Sequence, residues 1–97
     1  MIILYKLQSN IIDNISKLLN NWSCAERISE NEYNKAKEKL INYLENLVNV
    51  GQLNSYHIAY FSSPTRVKVE VNTTPEVFPI YNIYEDGTCT ITSLYKA

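Results

Sequence analysis

The chain has 97 residues, 45% of them hydrophobic and 20% charged, a globular balance long enough for one core and too short for a second folding unit, so residues 1–97 read as a single domain. Nine Lys plus Arg against ten Asp plus Glu leave a formal net charge of -1, which excludes a general attraction for phosphate backbones; nucleic-acid binding would need a local basic patch. Two glycines and three prolines exclude the phosphate-cradling Gly-rich loops of Walker and Rossmann sites and put most of the chain in regular elements.

In chain order, Ile2 to Leu7 reads as a short half-buried strand, or as an extension of the first helix. It is too short for a signal-peptide core, and no run approaches the roughly 20 apolar residues of a membrane span, which points to a cytoplasmic protein (host cytoplasm or virion if viral) and away from membranes. Ser9 or Asn10 is expected to cap a helix whose apolar stripe is Ile11, Ile15, Leu18 and Trp22, widened by Ile12 and Leu19. Asn20, Asn21 and the Ser23-Cys24-Ala25 segment weaken the pattern, so Trp22 to Ile28 reads as a connection or a short helical turn.

The second helix is punctuated at both ends. Ser29-Glu30-Asn31-Glu32 is a capping box, in which the Ser29 hydroxyl accepts from the Glu32 amide and the Glu32 carboxylate reaches back to the Ser29 amide, with Ile28 and Tyr33 at the staple positions. Tyr33, Ala36, Leu40, Tyr43, Leu44, Leu47 and Val48 recur with the helical period, and Gly51 closes the helix where a left-handed residue is cheap. Tyr56, Ile58 and Tyr60 then alternate with His57, Ala59 and Phe61, so both faces are apolar and the strand reads as central or partly covered. After a turn at Ser62-Ser63-Pro64-Thr65, Arg66 to Val71 alternates cleanly, three valines on one face and Arg66, Lys68 and Glu70 on a wet one. Asn72 to Pro79, with two prolines, reads as a loop, and Ile80 to Tyr84 and Thr88 to Leu94 flank an Asp86-Gly87 hairpin signal. This order implies an α+β domain, two helices packed on one face of a mostly antiparallel four- to five-stranded sheet. Terminal strands in such a sheet present unpaired edges, which are covered or used for partner contact by strand addition.

No residue cluster announces a reaction, and no cofactor is implied. His57 is the only histidine and, on an apolar strand, reads as a satisfied structural residue. Cys24 and Cys89 read as two buried thiols; they lack metal-ligand spacing, and pairing Cys89 with His57 as nucleophile and base needs an open, positive setting that sequence does not show. Glu85 and Asp86 fit turn chemistry. Tyrosine, eight in all, is the unusual residue, and Tyr56, Tyr60, Tyr81, Tyr84 and Tyr95, in or near strands, are the interface candidates, since tyrosine supplies amphipathic area at low entropic cost.

Two resemblances follow from the helix ending Leu44-Glu45-Asn46-Leu47-Val48-Asn49-Val50-Gly51-Gln52-Leu53. Tyr43, Leu44, Leu47, Gly51 and Leu53 match the "YL..L...G.(I/L)" helix-to-strand junction of C-terminal domains of contractile phage tail sheath proteins, and the chain resembles these over roughly residues 11–85. That resemblance implies a virion or tail component held by strand exchange with its neighbours. The same residues are similar to the end of a winged-helix recognition helix, which implies DNA contact through Lys35, Lys37 and Lys39, with Arg66 and Lys68 in the wing. Four glutamates share that helix and two further strands follow the wing, so the first reading leads: a non-enzymatic protein–protein interaction protein, a small phage or viral structural or accessory component, acting through self-association or a protein partner. A winged-helix-like regulator and a phage-encoded inhibitor of a host defence protein are the alternatives.

Overall fold

The computed structural model describes residues 7–25, 27, 29–59, 65–71 and 77–95. Two helices, α1 (Ser9–Ala25) and α2 (Glu30–Asn49), precede four strands, β1 (Ser55–Ala59), β2 (Arg66–Glu70), β3 (Val77–Tyr84) and β4 (Cys89–Tyr95). The strands form one antiparallel sheet in sequential order β1-β2-β3-β4, with both helices on one face: the two-layer α+β arrangement expected from the element order. Of the expected strand at Ile2 to Leu7 only Leu7 is described, and it is buried.

Helix α1 differs from its sequence pattern at both ends. The amides of Ile11 and Ile12 both donate to the Gln8 carbonyl, at 3.1 Å each, so the helix starts one residue early and Ser9 and Asn10 lie in its first turn rather than capping it. At the other end the helix runs on to Ala25, where a connection was expected from Trp22 onward. Trp22 and Ala25 carry the apolar stripe one more turn into the core, at 1% and 5% exposure, and that burial overrides the weak helix propensity of Asn20, Asn21, Ser23 and Cys24 around them. The Trp22 ring lies 5.7 Å from that of Tyr33 on α2, tilted at 45°.

Half of the capping box forms. Ser29 has extended backbone (φ -159°, ψ 156°) and its hydroxyl accepts from the Glu32 amide at 3.1 Å, but the Ser29 amide donates to the Ala25 carbonyl at 3.3 Å and so needs no glutamate. Ile28, its staple residue, lies outside the described residues. The far end closes as a Schellman motif around Gly51 (φ +79°): the Gln52 amide donates to the Leu47 carbonyl at 2.8 Å and the Gly51 amide to Val48 at 3.1 Å. Leu53 is thereby dropped into the core at 1% exposure and the chain is aimed at β1. A Cβ at Gly51 would meet nothing within 4 Å, so Gly51→Ala isolates the backbone strain; a loss of about 1–2 kcal/mol in urea unfolding is expected, and an unchanged midpoint would contradict the left-handed cap.

The inner face of the sheet is set by alternation. Val67, Val69, Val71 and Ile83 are fully buried and Tyr81 nearly so, meeting Ile15 and Leu19 from α1 and Leu40 and Leu44 from α2 in one core. Polar contacts fix α1 along β3: the buried Ser16 hydroxyl donates to the Tyr84 carbonyl at 3.0 Å, the Asn20 amide to the Glu85 carbonyl at 3.4 Å, and the Leu7 amide to the Tyr81 hydroxyl at 3.2 Å. The two chain ends of the β3–β4 hairpin are joined by a three-residue loop, since Tyr84 pairs with Thr88, rather than by the two residues Asp86-Gly87 alone. Gly87 (φ +93°) takes the left-handed position, and Asp86 accepts from both the amide and the hydroxyl of Thr88, at 3.0 and 2.7 Å, which holds its carboxyl below the usual range.

Strand β3 begins at Val77, inside the segment expected to be a loop up to Pro79. Pro79 is tolerated in an interior strand because it stands opposite Val71, just beyond the end of β2: its carbonyl accepts from the Val71 amide at 3.4 Å, and the missing N–H would have pointed the same way, where the ladder is already ending. The side facing β4 loses nothing.

Candidate functional site

Among the described residues, strand β4 leaves one side of the sheet open. The bond from the Tyr84 amide to the Thr88 carbonyl at 2.9 Å fixes the phase of the ladder: Thr88, Thr90 and Thr92 turn their backbone groups toward β3, and Cys89, Ile91, Ser93 and Tyr95 turn theirs outward. Among the described residues no strand pairs with that outer side. All seven residues of β4, Cys-Thr-Ile-Thr-Ser-Leu-Tyr, are uncharged, and the strand has neither proline nor glycine, so it lacks the devices by which natural edges are blunted.

The side chains reinforce the backbone. Ile91 belongs to the face that the helices cover, opposite Tyr81, yet it is 57% exposed, because α1 is fixed over β3 and stops short of β4. Thr90 and Thr92 are exposed on the other face. The opposite edge, β1, is a weaker candidate: it has five residues, and only Tyr56 and Ile58 turn backbone groups outward. Among the described residues β1 is an edge strand, which corrects the reading of it as central; the alternative, a partly covered strand, fits Tyr56 and Ile58, which pack against the core, while His57 on the outer face is exposed opposite Lys68.

The interface tyrosines separate into different environments. Tyr81, at 4% exposure, is a core residue whose hydroxyl accepts the Leu7 amide, so it is not available to a partner. Tyr56 is half-buried on the helix side and its hydroxyl donates to the Glu45 carboxylate on α2 at 2.5 Å. Tyr84 is half-buried on the outer face, and Tyr95 ends the open strand; Tyr60 lies outside the described residues. The signal for an edge was therefore less the tyrosine count than the uncharged run after Asp86-Gly87.

The bond to Glu45 and its negative charge disfavour phenolate, and with burial push the Tyr56 hydroxyl up from 10.0 to about 12. A pKa raised on folding means that this contribution to stability is complete below about pH 10 and is lost as pH rises toward 12. In Glu45→Gln the Tyr56 titration should fall back toward the ordinary tyrosine value, seen as one of eight phenolates appearing earlier in an ultraviolet titration; an unchanged curve would remove the Glu45 contact.

The basic residues of the winged-helix reading do not converge. Lys35 and Lys39 border an open depression of about 330 Å³ between α1 and α2, beside Glu32 and Cys24, whereas Lys37 is two residues from each and turns to another side of α2. Arg66 and Lys68 project from the opposite face of the sheet, interleaved with Glu70. Neither cysteine is buried as expected: Cys24 is exposed and Cys89 is half-buried, its thiol pushed up by burial. Cys89 and His57 occupy opposite edge strands and opposite faces, too far apart to act as nucleophile and base. No group of three His, Cys, Asp or Glu among the described residues could hold a metal ion, and no described helix is long and apolar enough to cross a membrane.

Fold and edge together define a class: a two-layer α+β domain whose described strands form a four-stranded meander that ends in an uncharged strand with no partner on its outer side among the described residues. Comparison of the chain with protein-family models, curated proteins and solved structures finds no match. The residues shared with sheath and winged-helix junctions have a common physical basis, since Leu44, Leu47 and Leu53 are core positions and Gly51 is the helix cap.

Proposed function

We propose that this protein is a non-enzymatic protein-contact module, a small phage or viral assembly or accessory component, which engages its partner by adding a strand to the open edge of β4. The observation that carries this reading is Ile91, a large apolar side chain 57% exposed on an uncharged strand whose outer side has no partner among the described residues. Main-chain bonds to the outward groups supply affinity in such an addition, and side chains on alternate positions supply specificity. The sheath-like junction supports the viral setting, because assembly by strand exchange needs an edge of this kind.

A photo-reactive residue at exposed Thr90, placed in the protein in its native host, should give one discrete cross-linked polypeptide, and Ile91→Lys should abolish it. The identity of the adduct separates a virion neighbour from a host protein. Cross-linking no stronger than from exposed Asn42 on α2 would overturn the reading.

A further inference from the structure

We infer that the occupant of the β4 edge is a second copy of this chain, paired antiparallel about a two-fold axis at Ile91; this rests on the strand-addition reading above. In such a pairing each residue meets a mate whose number reflects it through the centre, so any charge near the axis would meet its own kind. Strand β4 carries none. With the axis at Ile91, the outward amide and carbonyl of Ile91 exchange bonds with those of Ile91 in the second copy, and the two exposed isoleucine side chains lie side by side on the helix face. Thr90 then stands opposite Thr92, a favourable cross-strand pair, on the other face.

Charge at the start of the strand favours the antiparallel mate. The turn before Cys89 carries Glu85 and Asp86. Antiparallel pairing sets the Glu85 and Asp86 carboxylates of the two copies at opposite ends of the seam, whereas a parallel mate would align like with like. The result is one continuous sheet of twice the width, with two apolar patches covered by each other and the outward groups of both edges satisfied.

The test is the mass of the purified chain by sedimentation across concentration, compared among the natural protein, Ile91→Lys and Val50→Lys. Val50 is the matched control, 61% exposed but at the end of α2. Expected is a dimer in the natural protein and in Val50→Lys, with dissociation at least tenfold easier in Ile91→Lys while its circular dichroism stays native. Register is read from disulfides in a Cys24→Ser, Cys89→Ala background: a mixture of Thr90→Cys and Thr92→Cys chains should cross-link as heterodimers, and neither alone. A monomer at all concentrations, or a dimer indifferent to Ile91→Lys, overturns self-pairing. If the monomer still gives the Ile91-dependent adduct in the host, the edge reading survives with another partner; if that adduct is also missing, both fall.

Discussion

Trp22→Ala is expected to destabilise the protein by about 3–5 kcal/mol, the cost of removing the largest fully buried side chain and leaving a cavity between the helices. Small domains hold only about 5–15 kcal/mol in total, so this variant should be partly unfolded at modest urea concentrations. The effect arises at the crossing of α1 and α2, where the Trp22 ring meets Tyr33, in the turn of α1 that its sequence pattern leaves weakest. Circular dichroism during urea unfolding measures it. A loss under about 1 kcal/mol would mean that α1 ends before Trp22 and that the side chain is wet.

Ile83→Ala probes the other layer and should cost about 2–5 kcal/mol, with Ile83→Val costing about 0.5–1.5 kcal/mol. Ile83 is fully buried on β3 between Val67 and Cys89, beneath the helix that Ser16 and Asn20 fix to the end of the same strand. The same change at Ile91, one strand over, should leave the free monomer almost unaffected, since that side chain is already 57% exposed. This contrast is the informative part. Equal losses at both positions in dilute protein would mean that the helix layer covers β4 and that there is no open edge.

The two isoleucines show where sequence reasoning stops. Both sit in strands of alternating apolar residues, and neither pattern distinguishes a covered face from an uncovered one. The difference comes from a helix position, set by hydrogen bonds from Ser16 and Asn20 to carbonyls roughly seventy residues away, which no local pattern encodes. The tyrosines carry the same lesson: Tyr56, Tyr81 and Tyr84 look alike in a strand, but the pleat and the register send one to Glu45, one to the Leu7 amide and one to the outer face. Cys24, read as buried, is exposed at the open depression between α1 and α2, and His57, read as a satisfied structural residue, is exposed on the outer face of β1.

By itself the sequence determined the class of fold and the punctuation of its best-defined helix. Periodicity of 3.6 and of two, the Ser29 hydroxyl and the left-handed Gly51 act within a few residues of chain, so their consequences are local and readable: α2, the valine face of β2, the β3–β4 hairpin. Only the tertiary structure decided which strand is an edge, which apolar residue is left uncovered and which basic residues never meet. Those depend on the order of strands in the sheet and on where α1 comes to rest across it, both fixed by contacts between residues far apart in sequence.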